Sequence, residues 1–199
     1  MKTLLALTFI FLSITAIAQE EEKQEVKRGF DKTNLFTGGS ISLGLGSGSF
    51  NAGLHPHFGY TLAKWIDAAA VVNFEYTGQR DYYNNKYRNT TIGLGVFTRI
   101  FPVKFIFLQA QPEYNFINLK YIPASGESLK QKANAPSLLV GGGYTTSRSD
   151  KNTFTYLSIL VDVLKDENSP YVDGYGNLLP VIRAGINIGL GGKKARRAL

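Results

Sequence analysis

The sequence predicts an all-β chain: an eight-stranded antiparallel transmembrane up-and-down β-barrel. Three observations lead there. From Leu35 onward apolar residues recur with a period of two, the period of a strand rather than a helix. Eight such segments follow one another, each near the 9–11 residues that cross a bilayer at a tilt. The face opposite the apolar one carries Gly, Ser, Asn, Gln and isolated charges. A soluble sheet would instead turn a Lys- and Glu-rich face to water, whereas a narrow barrel packs small polar groups inside.

The segments are taken in order. In 35–45, Leu35, Ile41, Leu43 and Leu45 share one face and Phe36, Gly38, Ser40, Ser42 and Gly44 the other. In 50–62, Phe50, Ala52, Leu54, Pro56, Phe58, Tyr60 and Leu62 oppose Asn51, Gly53, His55, His57, Gly59 and Thr61. In 68–77, Ala70, Val72, Phe74 and Tyr76 oppose Val71, Asn73, Glu75 and Thr77; in 90–101, Ile92, Leu94, Val96 and Ile100 oppose Gly93, Gly95, Phe97 and Arg99. In 105–118, Ile106, Leu108, Ala110, Pro112, Tyr114 and Phe116 oppose Phe107, Gln109, Gln111, Glu113 and Asn115. Segments 135–145, 153–164 and 179–190 repeat the pattern, with Ser137, Ser158, Asp162, Arg183 and Asn187 on the polar side. Short links (Ala63–Ile66, Pro102–Lys104, Ser147–Asn152) alternate with longer ones (Gly78–Asn89, Lys120–Asn134, Lys165–Asn177), as periplasmic turns alternate with outer loops. Only Gly46–Ser49 is short where a long loop is expected. Aromatic residues such as Tyr60, Trp65, Tyr76, Phe105 and Tyr144 fall near strand ends, where rings favour the headgroup boundary.

Residues 1–18 have the form of a signal peptide. Lys2 is followed by an apolar run from Leu4 to Ile17, then Ala16-Ile17-Ala18 as a small-residue cleavage site, then the polar Gln19-Glu20-Glu21-Glu22. Residues 19–34 read as a flexible periplasmic leader, 35–190 as the barrel, and 191–199 as a basic tail. The chain has no Cys, so an exported domain of this size lacks disulfides and must hold together otherwise, closed backbone hydrogen bonding in a barrel being one way. Its 22 Lys+Arg against 15 Asp+Glu give a net charge of +7. The cations are scattered or gathered in the tail, with no basic stripe, and the chain is exported, so a nucleic-acid partner is not expected.

Candidate functional residues fall in two groups. The first is a polar network on the lumen face: His55, His57, Asn73, Glu75, Arg99, Gln109, Gln111, Glu113, Asp162, Arg183 and Asn187. Charges in a narrow lumen must be paired or solvated, and eight strands enclose little more than their own side chains. A side-chain-filled lumen is therefore expected, with a narrow small-solute channel as the alternative. The second group lies in outer loops: Tyr82, Tyr83, Tyr87, Arg88, Tyr171 and Tyr175, residue types suited to contact with a partner or with lipid headgroups. His55 and His57 are the only histidines and no further metal donor can be named beside them. No cofactor, metal or catalytic residue is assigned. Ser40, Ser42, Ser137 and Ser158 face the lumen, but none adjoins a His in sequence, so a lipid-modifying hydrolase ranks behind the other readings.

Three stretches carry a resemblance to the small bacterial outer-membrane β-barrel domain family. His55-Pro56-His57-Phe58-Gly59-Tyr60 resembles its P-x-x-G-Y second strand, and Gly95-Val96-Phe97-Thr98-Arg99 its G-x-F-x-R strand. Asp162-Val163-Leu164, Asn168-Ser169-Pro170-Tyr171 and Pro180-Val181-Ile182-Arg183-Ala184-Gly185 resemble its last hairpin. Arg183, Gly185, Ile188 and Leu190 also resemble the C-terminal signal read by the barrel-assembly machinery, with aliphatic rather than aromatic final positions and a tail beyond them. The resemblance implies a Gram-negative outer-membrane location, with lipid, lipopolysaccharide and that machinery as partners. It implies no single activity.

Overall fold

The computed structural model describes residues 30–46, 49–146, 148, 153–172 and 176–191. The expected signal peptide, the leader up to residue 29, Tyr175 and the tail beyond Gly191 lie outside the described residues. One compact unit begins at Lys32. A 3₁₀ turn at Lys32–Asn34, within the segment read as leader, precedes the first strand.

The strands are β1 (Leu35–Gly46), β2 (Ser49–Ala63), β3 (Ile66–Arg80), β4 (Lys86–Val103), β5 (Ile106–Ile122), β6 (Leu129–Thr145), β7 (Phe154–Asp162) and β8 (Val181–Gly189). Each pairs antiparallel with its neighbour in sequence, and β1 pairs with β8 to close the barrel. The closing register runs from Phe36↔Gly189 to Ser42↔Arg183, and Leu190 N donates to Leu35 O at 2.8 Å just beyond it. Closure removes both sheet edges, so every strand finds a ladder on each side. The eight-stranded up-and-down barrel is therefore as the period-two pattern predicts.

Its two ends differ. At one, tight turns at Lys64–Trp65 and Lys104–Phe105 join β2 to β3 and β4 to β5, with register shifts at Thr61/Ala63 and Ile100/Val103. At the other, the expected loops Gly78–Asn89 and Lys120–Asn134 are mostly strand. β3 continues to Arg80, β4 begins at Lys86, β5 reaches Ile122 and β6 begins at Leu129. The difference has a physical reason. Where both faces of a strand are polar the period-two signal vanishes, yet the backbone ladder persists as long as its partner strand does. Eighteen residues of β4 span roughly 60 Å at about 3.4 Å per residue, well beyond a hydrocarbon core of about 30 Å crossed at a tilt.

The outward face through the middle of every strand is uncharged. Leu94 is 55 % exposed and Val96 56 %, with Leu54, Leu108, Leu157 and Ile182 around the same circumference also exposed. Exposed Trp65, Phe105 and Tyr144 border this belt at the turn end, and Phe74, Tyr76, Tyr114 and Phe116 border it toward the loop end. Soluble monomers rarely leave a contiguous apolar band of this extent to water.

The inward face is packed by pairing small with large residues. Across the register, glycines stand opposite bulky inward side chains: Gly38↔His57 and Gly59↔Phe36, Gly93↔Asn115 and Gly95↔Glu113, Gly143↔Phe107, and Gly185↔Tyr156. A Cβ on Gly143 would collide with the Leu157 carbonyl and the Phe107 ring. One on Gly44 would meet only Asn51 Cβ at 3.5 Å, an ordinary contact. Alternating small and large residues is how a narrow barrel fills its taper. Gly143→Ala should therefore lower stability by about 1–3 kcal/mol, and Gly44→Ala should leave it within about 0.5 kcal/mol, as urea unfolding followed by Trp65 fluorescence in detergent micelles would read.

Candidate functional site: the barrel lumen

All eleven residues expected to form a lumen network are buried inside the barrel. Their arrangement follows from strand periodicity. Gln109, Gln111, Glu113 and Asn115 occupy alternate positions of β5, so their side chains form a line along the lumen wall. Arg99 Nε on β4 donates to Gln109 Oε1 at 2.8 Å. Gln109 Nε2 donates to Gln111 Oε1 at 2.9 Å, and Gln111 Nε2 to Glu113 Oε2 at 2.7 Å. The ends dictate the direction of this row. A guanidinium can only donate and a carboxylate only accept, so both amides between them are oriented. The cation and anion are thus coupled through two aligned amide dipoles instead of by contact.

Glu113 is held by three amides. Besides Gln111, Asn73 Nδ2 lies 2.6 Å from its Oε2 and Asn115 Nδ2 3.0 Å from its Oε1. Asn115 Nδ2 also reaches Ser137 Oγ at 3.2 Å, Ser137 Oγ meets Ser169 Oγ at 3.2 Å, and Ser169 Oγ donates to Asp162 Oδ2 at 2.6 Å. A continuous chain therefore links β4, β5, β6 and β7 across the lumen. The carbonyl oxygen of Asn73 faces His55 Nδ1 at 3.0 Å. Because that carbonyl can only accept, Nδ1 carries the proton. His55 Nε2 faces Ser42 Oγ at 3.1 Å and Glu75 Oε1 at 3.7 Å. Arg183 Nη2 approaches the same Glu75 oxygen at 3.7 Å.

Two features differ from a plain salt-bridge network. Arg99 is caged by rings: its Cζ stands 4.4 Å from the Phe97 centroid, 4.9 Å from Phe107 and 4.1 Å from Tyr156. Cation–π attraction stabilises a buried guanidinium there. His57 contacts the same cluster edge-on, 5.3 Å from Phe97, while its Nε2 meets Asn187 Oδ1 at 3.1 Å. Asp162 acts as a cap, not as an ion-pair partner. Its Oδ1 accepts from Leu138 N at 2.9 Å and Leu164 N at 3.1 Å, and its other oxygen accepts from Ser169.

Tyr171 requires a correction. Expected as an outer-loop contact, it is 3 % exposed and turned into the barrel mouth. Its hydroxyl lies 3.4 Å from Glu75 Oε1, and its ring packs with Leu139, Leu160 and Val181. Burial of a large ring outweighs its exposure in a polar loop, and Ser169 fastens the loop to Asp162. Tyr82, Tyr83, Tyr87 and Arg88 are exposed at the loop end, with Tyr82 at 98 %.

Sequence reading missed several members. Asp67 sits one residue before the expected start of its strand, on the same parity as Asn73 and Glu75, and the period could have reached it. Arg148 lies in the β6–β7 turn and binds Asp67 Oδ1 at 2.5 Å across 81 positions; nothing local marks it. Burial lowers the pKa of its guanidinium, and the Asp67 carboxylate offsets that. Its Cζ also stands 4.2 Å over Phe101. Among the described residues no group of three or more His, Asp or Glu is placed to hold a metal ion.

The lumen opens as a vestibule at each end. The turn-end one, about 820 Å³, is lined by Lys64, Lys104, Phe101 and Arg148. The loop-end one, about 400 Å³, is lined by Ser42, Asn51, Thr77 and Pro170, with Glu75 and Tyr171 on its wall. Between them His55, Asn73, Gln111, Asn115 and Asn187 are at most 1 % exposed.

No protein-family profile and no curated protein matches the chain. Solved structures similar to it include two outer-membrane proteins' domains. The crystal structure of Neisserial surface protein A (NspA) is 11 % identical, with a TM-score of 0.42 over 78 % of this chain and 95 % of that one. The translocator domain of the autotransporter NalP from Neisseria meningitidis is 9 % identical, with a TM-score of 0.43 over 91 % of this chain and 96 % of that one.

Removing one partner of a buried charge typically costs about 3–5 kcal/mol. Glu113→Leu and Arg99→Met should each destabilise the barrel on that scale. The double variant should lose clearly less than their sum, because the two are joined through Gln109 and Gln111. A double-mutant cycle by urea unfolding in micelles measures this coupling.

Proposed function

We propose that the chain is an integral outer-membrane β-barrel with a structural or surface-interaction role and a lumen filled by its own side chains. The observation that carries this reading is the buried, mutually bonded layer His55–Asn73–Glu113–Gln111 across mid-lumen. No residue of that layer lines either vestibule. The uncharged, ring-bordered belt supports membrane insertion, since only closed barrels and helices satisfy every backbone group in lipid. The turn end then faces the periplasm and the strand extensions face outward, displaying Tyr82 and Tyr83 at the tip. Outer-membrane lipid and lipopolysaccharide are the standing partners, with the barrel-assembly machinery acting during insertion.

The experiment is a bilayer conductance recording on protein that first shows a heat-modifiable mobility shift in SDS. A shift with no stepwise conductance is the expected outcome; steps in a population of folded barrels would replace this reading with a narrow solute channel. On the lipid face, Leu94→Arg should cost about 2–4 kcal/mol in vesicle-folded protein. An unchanged unfolding midpoint in urea would argue against membrane burial of that face.

Ser42, His55 and Asn73 line up at 3.1 and 3.0 Å in the order of a nucleophile, base and orienting group. In the proposed barrel this row serves structure and not catalysis: Ser42, on the wall of the loop-end vestibule, is 5 % exposed and packed against Gly53 and His55. A serine-directed fluorophosphonate should leave folded protein unlabelled at Ser42, and stoichiometric labelling would reopen the hydrolase reading.

A further inference from the structure

The strand extensions place a row of cations on the outer wall just beyond the apolar belt. Outward positions on β3–β6 are the even-numbered ones, as exposed Phe74, Leu94, Leu108 and Val140 show. Past the belt the same positions carry Arg80, Lys86, Arg88, Lys120, Lys130 and Lys132. The register sets them side by side: Arg80↔Lys86, Arg88↔Lys120 and Lys120↔Lys130. Directly opposed residues of a ladder point to the same side, with Cβ atoms about 5 Å apart.

Like charges in that arrangement repel and destabilise the sheet that carries them. Among the described residues no carboxylate pairs with any of the six. Asp81, the nearest acid in sequence to Arg80, is occupied by Asn85, whose backbone N and Nδ2 reach it at 2.9 and 2.8 Å. The ledge is nonetheless well built. Tyr87 and Tyr121 stack on its inner side, ring centroids 5.0 Å apart. Asn85 Oδ1 accepts from Ala124 N at 3.0 Å and ties one hairpin tip to the next. A groove of about 360 Å³ opens there, flanked by Arg80, Lys86 and Arg88, with Gly78 and Tyr76 on its floor.

Depth decides what chemistry fits. Arg88 lies four residues beyond Ile92 and Lys120 four beyond Phe116, about 13 Å of strand past the last belt residues. A cation at that height on a lipid-facing wall sits at headgroup phosphates. We propose that this ledge is a binding site for a phosphorylated glycolipid of the outer leaflet. Its phosphates bridge Arg88, Lys120 and Lys130, and its acyl chains lie against Ile92, Tyr114 and Phe116 below. The proposal rests on the outer-membrane reading above and gives its lipid partner a defined site.

The test titrates diphosphoryl lipid A, and separately its dephosphorylated form, into the refolded barrel in dodecyl maltoside micelles, with bound lipid counted by native mass spectrometry. The probe variant is Arg88→Gln/Lys120→Gln/Lys130→Gln; the control, at the other end, is Lys64→Gln/Lys104→Gln. Each basic group near an anionic lipid surface contributes roughly a fivefold factor, so the probe should lose about a hundredfold in affinity for the diphosphoryl lipid. The control should bind as the parent does, and the dephosphorylated lipid should bind parent and probe alike. Equal binding of diphosphoryl lipid by parent and probe overturns the site. Displacement of the lipid by a few millimolar inorganic phosphate overturns it in favour of a free-phosphate site. Heat-modifiability of every variant separates these outcomes from failure of the barrel itself: a variant that shifts on boiling is folded, and its binding result then bears on the ledge alone.

Discussion

The narrowness of an eight-stranded ring governs this protein. Closing eight strands leaves an interior only as wide as the side chains that point into it, and through the middle of every strand the outer face is uncharged and largely apolar. Along that belt the charged and amide side chains point inward, to a place with little water, where each must find its partner. The oriented amides between Arg99 and Glu113 answer that demand. So do the aromatic cage around Arg99 and the three amides on Glu113.

The same narrowness explains the glycines. A lumen lined on all sides by Gln, His, Phe and Tyr would be overfilled, so a missing side chain faces many of the large ones across the ladder. Gly38 stands against His57 and Gly143 against Phe107. The abundance of glycine is thus a packing device, paired residue by residue through register. It also fixes that register, because a slip of one position would set bulk against bulk and turn the apolar belt inward.

Function is divided between inside and outside. In the proposed reading, a lumen closed at mid-height by bonded side chains leaves the wall and the loop end as the surfaces that meet other molecules. The loop-end wall is unlike the rest of the exterior, since the strands outrun the belt there and carry cations in register. The long β4, β5 and β6 set Arg88, Lys120 and Lys130 in one row.

Much of this was legible in the sequence. Period two placed all eight strands and assigned His55, Asn73, Gln111 and Arg183 to the lumen face, because side-chain direction in a strand depends only on parity. Parity also put Lys120 and Lys130 on the outer face in principle. Their strands were not recognised that far because polar residues on both faces erase the alternation. Partnership was out of reach for a different reason. Asp67 and Arg148 are joined across 81 positions, Tyr171 lies 96 residues from Glu75, and His57 lies 130 from Asn187. Which inward residues meet depends on the stagger with which the sheet closes, set by all eight pairings together. The sequence by itself determined the strands and the two faces of the barrel; the tertiary structure decided who pairs within the lumen, which loop residue turns inward to cover it, and which surface cations stand side by side.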